Sequence, residues 1–290
     1  MLQTLFTSSG VRLRPHSTRP GTLNWLLLPG GPRLGSESLE ELANILCVPG
    51  TVWLVDLPED GSNRRPPGRA TSFSNWPHVV IEAAQALTNV IFVGHSTGGM
   101  YLLSVPALES EIIGLALIGS APDASWQEHF ASMVSAHPLP AVDKANAQYE
   151  ADRCDAHLAA IAVAAAEWNF TSAGLSTGRG MLERLPYNRE VEWSENNFDR
   201  VYTAQWWPNA LPVLIMAGSD DRIVDQRRWQ QSRFKSPNVS TALIDGAGHF
   251  PWIENPDAVQ KAFSELAYRV EVNEASRENI CSTVSVDVTS

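Results

Sequence analysis

A glycine-rich stretch in the first half of the chain, VIFVGHSTGGM from Val90, fits three kinds of chemistry to different degrees. A phosphate-binding P-loop requires G-x-x-x-x-G-K-[ST]. Gly94 and Gly99 have this spacing, but Met100 occupies the position of the lysine that contacts phosphate. A dinucleotide-binding fingerprint requires G-x-G-x-x-G, and Ser96 replaces its middle glycine. The third pattern, G-x-S-x-G, is complete around Ser96, so these residues indicate nucleophilic serine chemistry.

Ser96 is predicted to be a nucleophile because of the elements on either side of it. It follows the apolar strand VIFVG and precedes a helix, so it lies at a sharp turn that raises its hydroxyl above the sheet. The flanking glycines allow the strand and helix backbones to approach closely. The N-terminus of the helix adds partial positive charge where an oxyanion would develop. The alternative is a glycine–serine turn without chemistry.

A serine nucleophile needs a general base, and His249 is the predicted one. This histidine directly follows a C-terminal core strand, in the turn DGAGHFPWIENP, which can carry an imidazole over the sheet edge towards Ser96. His95 shares the serine turn, but its side chain should point away from Ser96, and we expect it to be structural. The remaining histidines are expected to be solvated or packed: His16, His78, His129, His137 and His157.

The base needs a carboxylate to orient it, and three aspartates are candidates for that role. Asp220, Asp221 and Asp225 follow the strand PVLIMAG, near the C-terminal end of a strand, where open α/β sheets place their sites. At least one of the three is expected to cap or brace the turn instead. If Asp221 is the acid, Asp220 is expected to brace the turn that leads into RIVDQRRW.

Two backbone N–H groups are predicted to stabilise the oxyanion. The segment LLLPGGPRLGSES, after an early strand, supplies Gly30 and Gly31 beside Pro32. Proline has no N–H and cannot donate, so Gly31 is the predicted donor from this segment. The N–H of Thr97, directly after the nucleophile, is the predicted second donor.

Strands and helices alternate along the parts of the chain that must position these residues. Apolar runs of strand length, such as NWLLL, TVWLVD and VIFVG, alternate with amphipathic helical segments. Runs without polar alternation suit strands buried on both faces, so we predict an α/β fold with a mostly parallel sheet and helices on both sides. LQTLFT and VRLRPH are predicted to form a short antiparallel pair before this sheet.

The strand pattern stops after Pro122 and returns near Leu211, which predicts an inserted helical cap. Trp168 and Phe170 of this insertion are candidates for lining a substrate pocket, and packing of the cap on the core is the alternative. The predicted domains are 1–122 (first part of the core), 123–200 (cap), 201–272 (second part of the core) and 273–290 (disordered tail).

Composition limits the classes of partner. The net charge of −11 argues against a general nucleic-acid binder, which needs clustered Lys and Arg. Three scattered cysteines lack metal-ligand spacing and favour a reducing compartment. The N-terminus lacks a secretory signal, and no segment approaches the ~18 apolar residues of a membrane span. We expect a cytoplasmic protein that acts on a small molecule without metal, cofactor, nucleic acid or membrane; no pattern indicates an oligomeric state.

Three motifs together resemble the α/β-hydrolase family over about residues 1–270: GHSTGG, GSDDRIV and GAGHFPWIENP, in that order. The resemblance implies the α/β-hydrolase fold with a catalytic triad, in which Ser96 is the nucleophile and His249 the base. It also implies Asp221 as the acid, because the family spacing is G-x-x-D from Gly218.

Other motifs resemble the family with departures. VDLPEDGSN is similar to the family's D-x-P-G-x-G-x-S loop, from which Glu59 and Asp60 depart. PGGPRLGSESL and LPYN…YTAQWWP resemble the prolyl aminopeptidase branch, whose oxyanion segment is H-G-G-P-G. This sequence has Pro29 in place of the histidine and Arg33 in place of the last glycine, and its elbow is G-H-S-T-G-G rather than G-G-S-W-G.

We therefore predict a serine hydrolase that cleaves an ester or amide bond of a small, largely apolar substrate through an acyl-enzyme on Ser96. The resemblance implies that haloalkane dehalogenases and epoxide hydrolases have an aspartate as the nucleophile at this position, so Ser96 excludes both kinds of enzyme. One alternative is a prolyl-aminopeptidase-like peptidase, in which Glu167 or Glu183 could bind the substrate amine. The other is a non-hydrolytic protein of the same fold: a ligand-binding protein, a lyase or a cofactor-free oxygenase.

Overall fold

A single mixed sheet forms the centre of the molecule. The computed structural model describes residues 2–31, 34–64, 76–190 and 198–284, and within them eight strands form this sheet. The strands are β1 (Leu5–Phe6), β2 (Arg12–Arg19), β3 (Asn24–Leu28), β4 (Gly50–Asp56), β5 (Val90–His95), β6 (Gly114–Ile118), β7 (Val213–Gly218) and β8 (Val239–Ile244). Their order across the sheet is β1-β2-β4-β3-β5-β6-β7-β8.

The strand directions confirm the predicted fold class. β1 pairs antiparallel with β2, and β2 pairs antiparallel with β4, which agrees with the antiparallel pair expected at the start of the chain. The five remaining pairings are parallel. The central strands β4, β5, β6 and β7 are buried along their whole length, because helices cover both faces of the sheet.

Helices cover the sheet on both sides. The described helices are α1 (Glu40–Ile45), α2 (Trp76–Gln85), α3 (Thr97–Leu103), α4 (Trp126–Ala136), α5 (Pro140–Ala151), α6 (Asp155–Ala164), α7 (Ala166–Asn169), α8 (Leu175–Arg184), α9 (Phe198–Val201), α10 (Pro251–Glu254) and α11 (Pro256–Val284). Alternate residues of β3 enter different clusters: Trp25 and Leu27 pack with α1 and α11, whereas Leu26 and Leu28 pack with α2 and α3. None of the described helices combines the length and apolar character needed to span a bilayer.

The parallel register brings four chain reversals to one edge of the sheet. His95 at the end of β5 lies beside Ile118 at the end of β6, and Ile118 lies beside Met216 of β7. Gly218, the last residue of β7, lies beside Ile244, the last residue of β8. The turns that follow these strands contain the predicted nucleophile, acid and base, so the topology gathers them at the C-terminal edge.

Helices α4 to α9 lie between β6 and β7 along the chain, within or next to the range predicted as the cap. Part of this insertion has a small core of its own, in which Met133, Val142 and Trp168 are buried together. The remainder packs onto the main core, since Phe170, Met181 and Leu182 belong to the cluster around α11.

The C-terminal segment differs from its prediction. Helix α11 continues to Val284, whereas a disordered tail is predicted from residue 273. Residues 273–284 contain neither glycine nor proline, so the backbone can continue the helix beyond the buried Val270. Arg277 also pairs with Glu274 one helical turn away. The rest of the predicted tail, 285–290, lies outside the described residues.

Candidate active site

Ser96 occupies a strained turn between β5 and α3. Its backbone has φ 49° and ψ −124°, a left-handed conformation that side chains other than glycine rarely adopt. The Ser96 N–H donates to the carbonyl oxygen of Ile118 at 2.8 Å, which holds the turn against β6. A Cβ atom at Gly94 would lie 2.5 Å from Gly99 Cα, and a Cβ atom at Gly98 would overlap the backbone of Pro29. The flanking glycines therefore allow the close approach that the turn requires.

The segment after β3 lies directly against Ser96. A Cβ atom at Gly30 would lie 2.5 Å from Ser96 Cβ and 2.7 Å from the carbonyl oxygen of His95, so glycine is needed there. The next residue, Gly31, is partly exposed and has φ +53°. Thr97 is the first residue of α3, and the first N–H groups of a helix have no acceptor within the helix. Thr97 directly follows Ser96, and Gly31 follows Gly30, whose backbone borders the serine turn; donation by either N–H to an oxyanion stays a prediction, and Pro32 and Arg33 lie outside the described residues.

The predicted acid and base, Asp221 and His249, are buried side by side. His249 Nδ1 lies 3.0 Å from Asp221 Oδ2 and 3.1 Å from Asp221 Oδ1. The side chains are 5% and 1% exposed, respectively. Because an ionised carboxylate only accepts hydrogen bonds, Nδ1 is the donor in this contact, and in a neutral imidazole Nε2 is then the acceptor nitrogen. Of the three candidate aspartates, Asp221 is the one that the structure brings to the histidine.

Asp221 also braces its own turn, a task that the sequence analysis assigns to Asp220. Asp221 Oδ1 accepts hydrogen bonds from the N–H groups of Ile223 at 2.9 Å and Val224 at 3.2 Å. Asp220 is exposed instead, and its carboxylate accepts from Ser219 Oγ at 2.8 Å. The expectation for Asp220 is wrong because consecutive side chains diverge, and the one that faces inward meets both the histidine and the free amides of the turn.

Gly119, directly after β6, connects the serine to the histidine side of the site. It has φ +54°, and a Cβ atom there would lie 3.1 Å from the His249 ring and 3.4 Å from Asp221 Oδ2. Since the Ser96 N–H is hydrogen-bonded to the carbonyl oxygen of Ile118, Ser96 and His249 both lie next to the same end of β6. Among the described residues, Ser96 Oγ forms no hydrogen bond with His249. Such bonds commonly tighten when substrate binds.

His95 supports the histidine turn. Its side chain is buried, and Nε2 lies 3.0 Å from the carbonyl oxygen of His249, so Nε2 carries the proton. Nδ1 has no hydrogen-bond partner among the described residues. The ring packs against His249, Phe250 and Trp252, with centroids 4.8, 4.8 and 4.9 Å away. Burial, and then the nearby His249, hold the pKa of His95 well below its ordinary value, so His95 stays neutral.

This depressed pKa predicts a specific loss of stability in mild acid. The unfolded chain takes up a proton on His95 below about pH 6.5, and the folded protein does not, so His95 stabilises the fold fully above that pH and progressively less below it. From pH 7.5 to 5.5 we expect a loss of unfolding free energy on the order of 1 kcal/mol from this residue. The amide of His95→Gln can donate to the same carbonyl oxygen but does not titrate. In urea titrations, the unfolding free energy of this variant should therefore fall less than that of the wild type, by the amount given above. Equal losses in the two proteins would contradict the assignment.

The two aromatic residues predicted to line a pocket are buried by protein. Trp168 is 8% exposed, donates from Nε1 to the carbonyl oxygen of His137 at 2.9 Å and meets Phe130 edge-on. Phe170 is 3% exposed and stacks on Phe250 with ring centroids 5.1 Å apart. Trp168 thus belongs to the core of the insertion, and Phe170 packs the insertion against the residue after His249. Substrate contact by either side chain stays a prediction.

Glu254, for which the sequence predicted no role, also contacts the histidine turn. Its carboxylate accepts from the N–H of Gly248 at 2.5 Å and from the N–H and Oγ of Thr171 at 2.7 and 2.5 Å. An available signal was its position, five residues after His249 within the quoted turn motif.

Among the described residues, one group has potential metal ligands close together: Asp152, Cys154 and His157, whose ligand atoms lie within 4.8 Å of one another. The group lies at the junction of α5 and α6. His157 Nδ1 is already within 2.7 Å of the carbonyl oxygen of Asp152. No hydrogen bond or ion pair in the described parts of the chain joins these three residues to Ser96, Asp221 or His249, so we give the group no part in the candidate active site.

Curated relatives of the chain are esterases. A protein from Xanthomonas campestris pv. campestris (strain B100) named pimeloyl-[acyl-carrier protein] methyl ester esterase is 26% identical over 230 residues, covering 72% of this chain and 81% of the relative. A protein of the same name from Stenotrophomonas maltophilia (strain K279a) is 25% identical over 255 residues, covering 83% of this chain and 92% of the relative.

Solved structures show the same fold. A proline iminopeptidase from Mycobacterium smegmatis has a TM-score of 0.64 at 19% identity, covering 94% of this chain and all of that one. A thermophilic esterase from Thermogutta terrifontis has a TM-score of 0.61 at 18% identity, covering 93% of this chain and 99% of that one. The family model described as "Alpha/beta hydrolase family" matches residues 25–262. The chain is therefore an esterase-like hydrolase and belongs to the alpha/beta hydrolase family.

Proposed function

We propose that the protein is a serine esterase in which Ser96 is the nucleophile, His249 the general base and Asp221 the residue that orients His249. The observation that carries this proposal is the buried Asp221–His249 pair, with both carboxylate oxygens 3.0–3.1 Å from Nδ1. A buried pair of this kind next to a serine in a left-handed turn supplies the three groups that acyl transfer needs.

In the proposed reaction, His249 Nε2 removes the proton of the Ser96 hydroxyl as Oγ attacks the ester carbonyl carbon. The N–H groups of Gly31 and Thr97 donate to the oxyanion that forms, and Asp221 stabilises the imidazolium. His249 then returns the proton to the leaving alkoxide oxygen, the carbon–oxygen bond breaks, and an acyl group remains on Ser96. Water, deprotonated by His249, attacks the acyl carbon, and the carboxylic acid leaves as Ser96 regains its proton.

We favour an ester of a small alcohol over an amide as the substrate. The curated relatives are named as methyl ester esterases, and a methyl ester has the smallest leaving alcohol. The acidic side chains considered for binding a substrate amine are solvated: Glu183 is exposed, and Glu167 is 52% exposed and pairs with Arg179 at 3.7 Å. A solvated carboxylate paired with arginine is a poor acceptor for a substrate ammonium group.

The insertion acts as a cap in this proposal, with the core formed by 1–122 and 201–272. A cap over residues 123–200 would exclude water from the acyl-enzyme and select the acyl chain, and its movement would gate entry. We also propose a cytoplasmic location. Support comes from Cys47 and Cys154, which are both free thiols, a state that a reducing compartment maintains. Fractionation of the source cells tests this point.

Substrate screening of the purified protein tests the proposed reaction. The panel contains methyl esters of acyl chains of increasing length, free and linked to acyl-carrier protein, together with prolyl anilide. We expect methyl ester hydrolysis with kcat/KM at least ~100-fold above that for the anilide, a difference of about 2.7 kcal/mol in transition-state binding. Preference for the anilide would overturn the esterase proposal in favour of a peptidase. Absence of labelling by a fluorophosphonate together with no hydrolysis would favour a non-hydrolytic protein.

A further inference from the structure

One short segment of the insertion is hydrogen-bonded to both the acid turn and the histidine turn. Arg222, directly after Asp221, donates from Nη1 to the carbonyl oxygen of Glu167 at 3.0 Å. The backbone N–H of His249 donates to the carbonyl oxygen of Asn169 at 2.8 Å. Residues 167–171 therefore contact the residues that hold the acid and base in place, although they lie far from both along the chain.

Glu254 adds a second connection between this segment and the histidine turn. One carboxylate oxygen accepts from the N–H of Gly248, and the other accepts from both the N–H and the hydroxyl of Thr171. The two neighbouring N–H groups of Gly248 and His249 are thus both held by residues 169–171, one directly and one through Glu254.

The backbone leaves space for this carboxylate. A Cβ atom at Gly248 would lie 3.3 Å from Glu254 Oε2, and a Cβ atom at Gly174 would lie 2.6 Å from Glu254 Oε1. Hydrogen bonds to an ionised carboxylate are about twice as strong as those between neutral groups. A glutamine would place an NH₂ group opposite an N–H donor and could not satisfy both sides at once.

We propose that Glu254 is a positioning residue, whose carboxylate fastens the His249 turn to residues 169–171 so that the position of the insertion sets the position of the base. The proposal rests on the proposed role of His249 in ester hydrolysis. Substrate that holds the insertion in one position would then also hold the imidazole over Ser96. Substrate binding and the positioning of the reactive groups would therefore occur together.

A purely structural role for Glu254 makes different predictions from a positioning role. Loss of structural support alone would lower the melting temperature and leave the turnover of folded enzyme unchanged. Loss of positioning would lower kcat, because a displacement of about 1 Å at the reacting groups can cost about 100-fold in rate. KM would stay nearly constant, since the Glu254 carboxylate is engaged by Gly248 and Thr171 rather than directed at substrate.

The test is Glu254→Gln, compared with Glu265→Gln as a control on an exposed position of α11. We expect Glu254→Gln to lower kcat about tenfold to 100-fold with KM within about twofold, and to slow fluorophosphonate labelling by a similar factor. The control should match the wild type in all three measurements. Wild-type kcat in folded Glu254→Gln protein would overturn the proposal.

Thr171→Val keeps the proposal testable if Glu254→Gln does not fold. It removes the hydroxyl donor but keeps the N–H donor, so kcat should fall by a smaller factor in the same direction. Adding it to Glu254→Gln should cost little more, because both changes remove one shared interaction. Unchanged kcat in Thr171→Val would overturn the proposal. Active Ser96→Ala would instead overturn the proposed function, whatever Glu254→Gln does.

Discussion

Ser96→Ala is expected to reduce ester hydrolysis by roughly 10⁶-fold in kcat, the size of effect seen when the nucleophile of a well-studied serine protease is removed. The variant should also fail to react with a fluorophosphonate. The reason is chemical, since alanine has no oxygen to form the acyl-enzyme. Folding should be preserved or improved slightly, because the substitution removes a hydroxyl without changing the Cβ atom that packs beside Gly30.

Ser104→Ala is the matched control for this experiment. Ser104 lies at the end of α3, and its hydroxyl donates to the carbonyl oxygen of Met100 at 2.8 Å, away from the serine turn. It should keep wild-type turnover and labelling. A Ser96→Ala protein that still becomes labelled, with the modification mapped to another serine, would show that the nucleophile lies elsewhere.

Asp221→Asn is expected to lower kcat by about 10⁴-fold with little change in KM, as in a well-studied triad. The asparagine Oδ1 can still accept from Ile223 and Val224, so the turn should stay folded. Its NH₂ group would then face His249 Nδ1, which favours the wrong tautomer and leaves the imidazolium without a negative partner.

Asp220→Asn supplies the comparison, because it makes the same chemical change one residue away. Its side chain is exposed and bonded to Ser219 Oγ, so kcat and melting temperature should both stay close to the wild type. Steady-state kinetics on both folded variants decides between the two positions. A larger loss of kcat in Asp220→Asn than in Asp221→Asn would move the orienting role to Asp220.

Features that depend on backbone geometry within a few residues were predictable from sequence. The apolar runs of β3, β4 and β5 require burial on both faces, and the glycines around Ser96 are demanded by the close approach of strand and helix. The helix that continues through residues 273–284 was missed, because polar composition there resembles that of a disordered tail.

Features that depend on side-chain direction or on distant contacts were harder to predict. Residue type alone could not decide which of Asp220, Asp221 and Asp225 orients His249. The family spacing, not a physical argument, selected Asp221. Glu254 gives no periodic signal, because its partner Thr171 lies 83 residues away along the chain. Trp168 and Phe170 show that aromatic content in an insertion does not distinguish a substrate pocket from packing.

The hydrogen bonds by which Asp221 braces its turn, combined with its proposed role in orienting His249, have a consequence for directed evolution of this protein. Active-site residues are commonly replaceable when selection acts on stability alone, since many of them are held at a cost to the fold. Asp221 differs, because alanine there would leave the N–H groups of Ile223 and Val224 without their acceptor, at about 1–3 kcal/mol for each group that stays buried. A library sorted only for thermostability should therefore retain an acceptor side chain, aspartate or asparagine, at position 221. Variants that have lost activity should arise more readily at Ser96, because alanine there removes the hydroxyl oxygen and breaks no hydrogen bond that the fold needs.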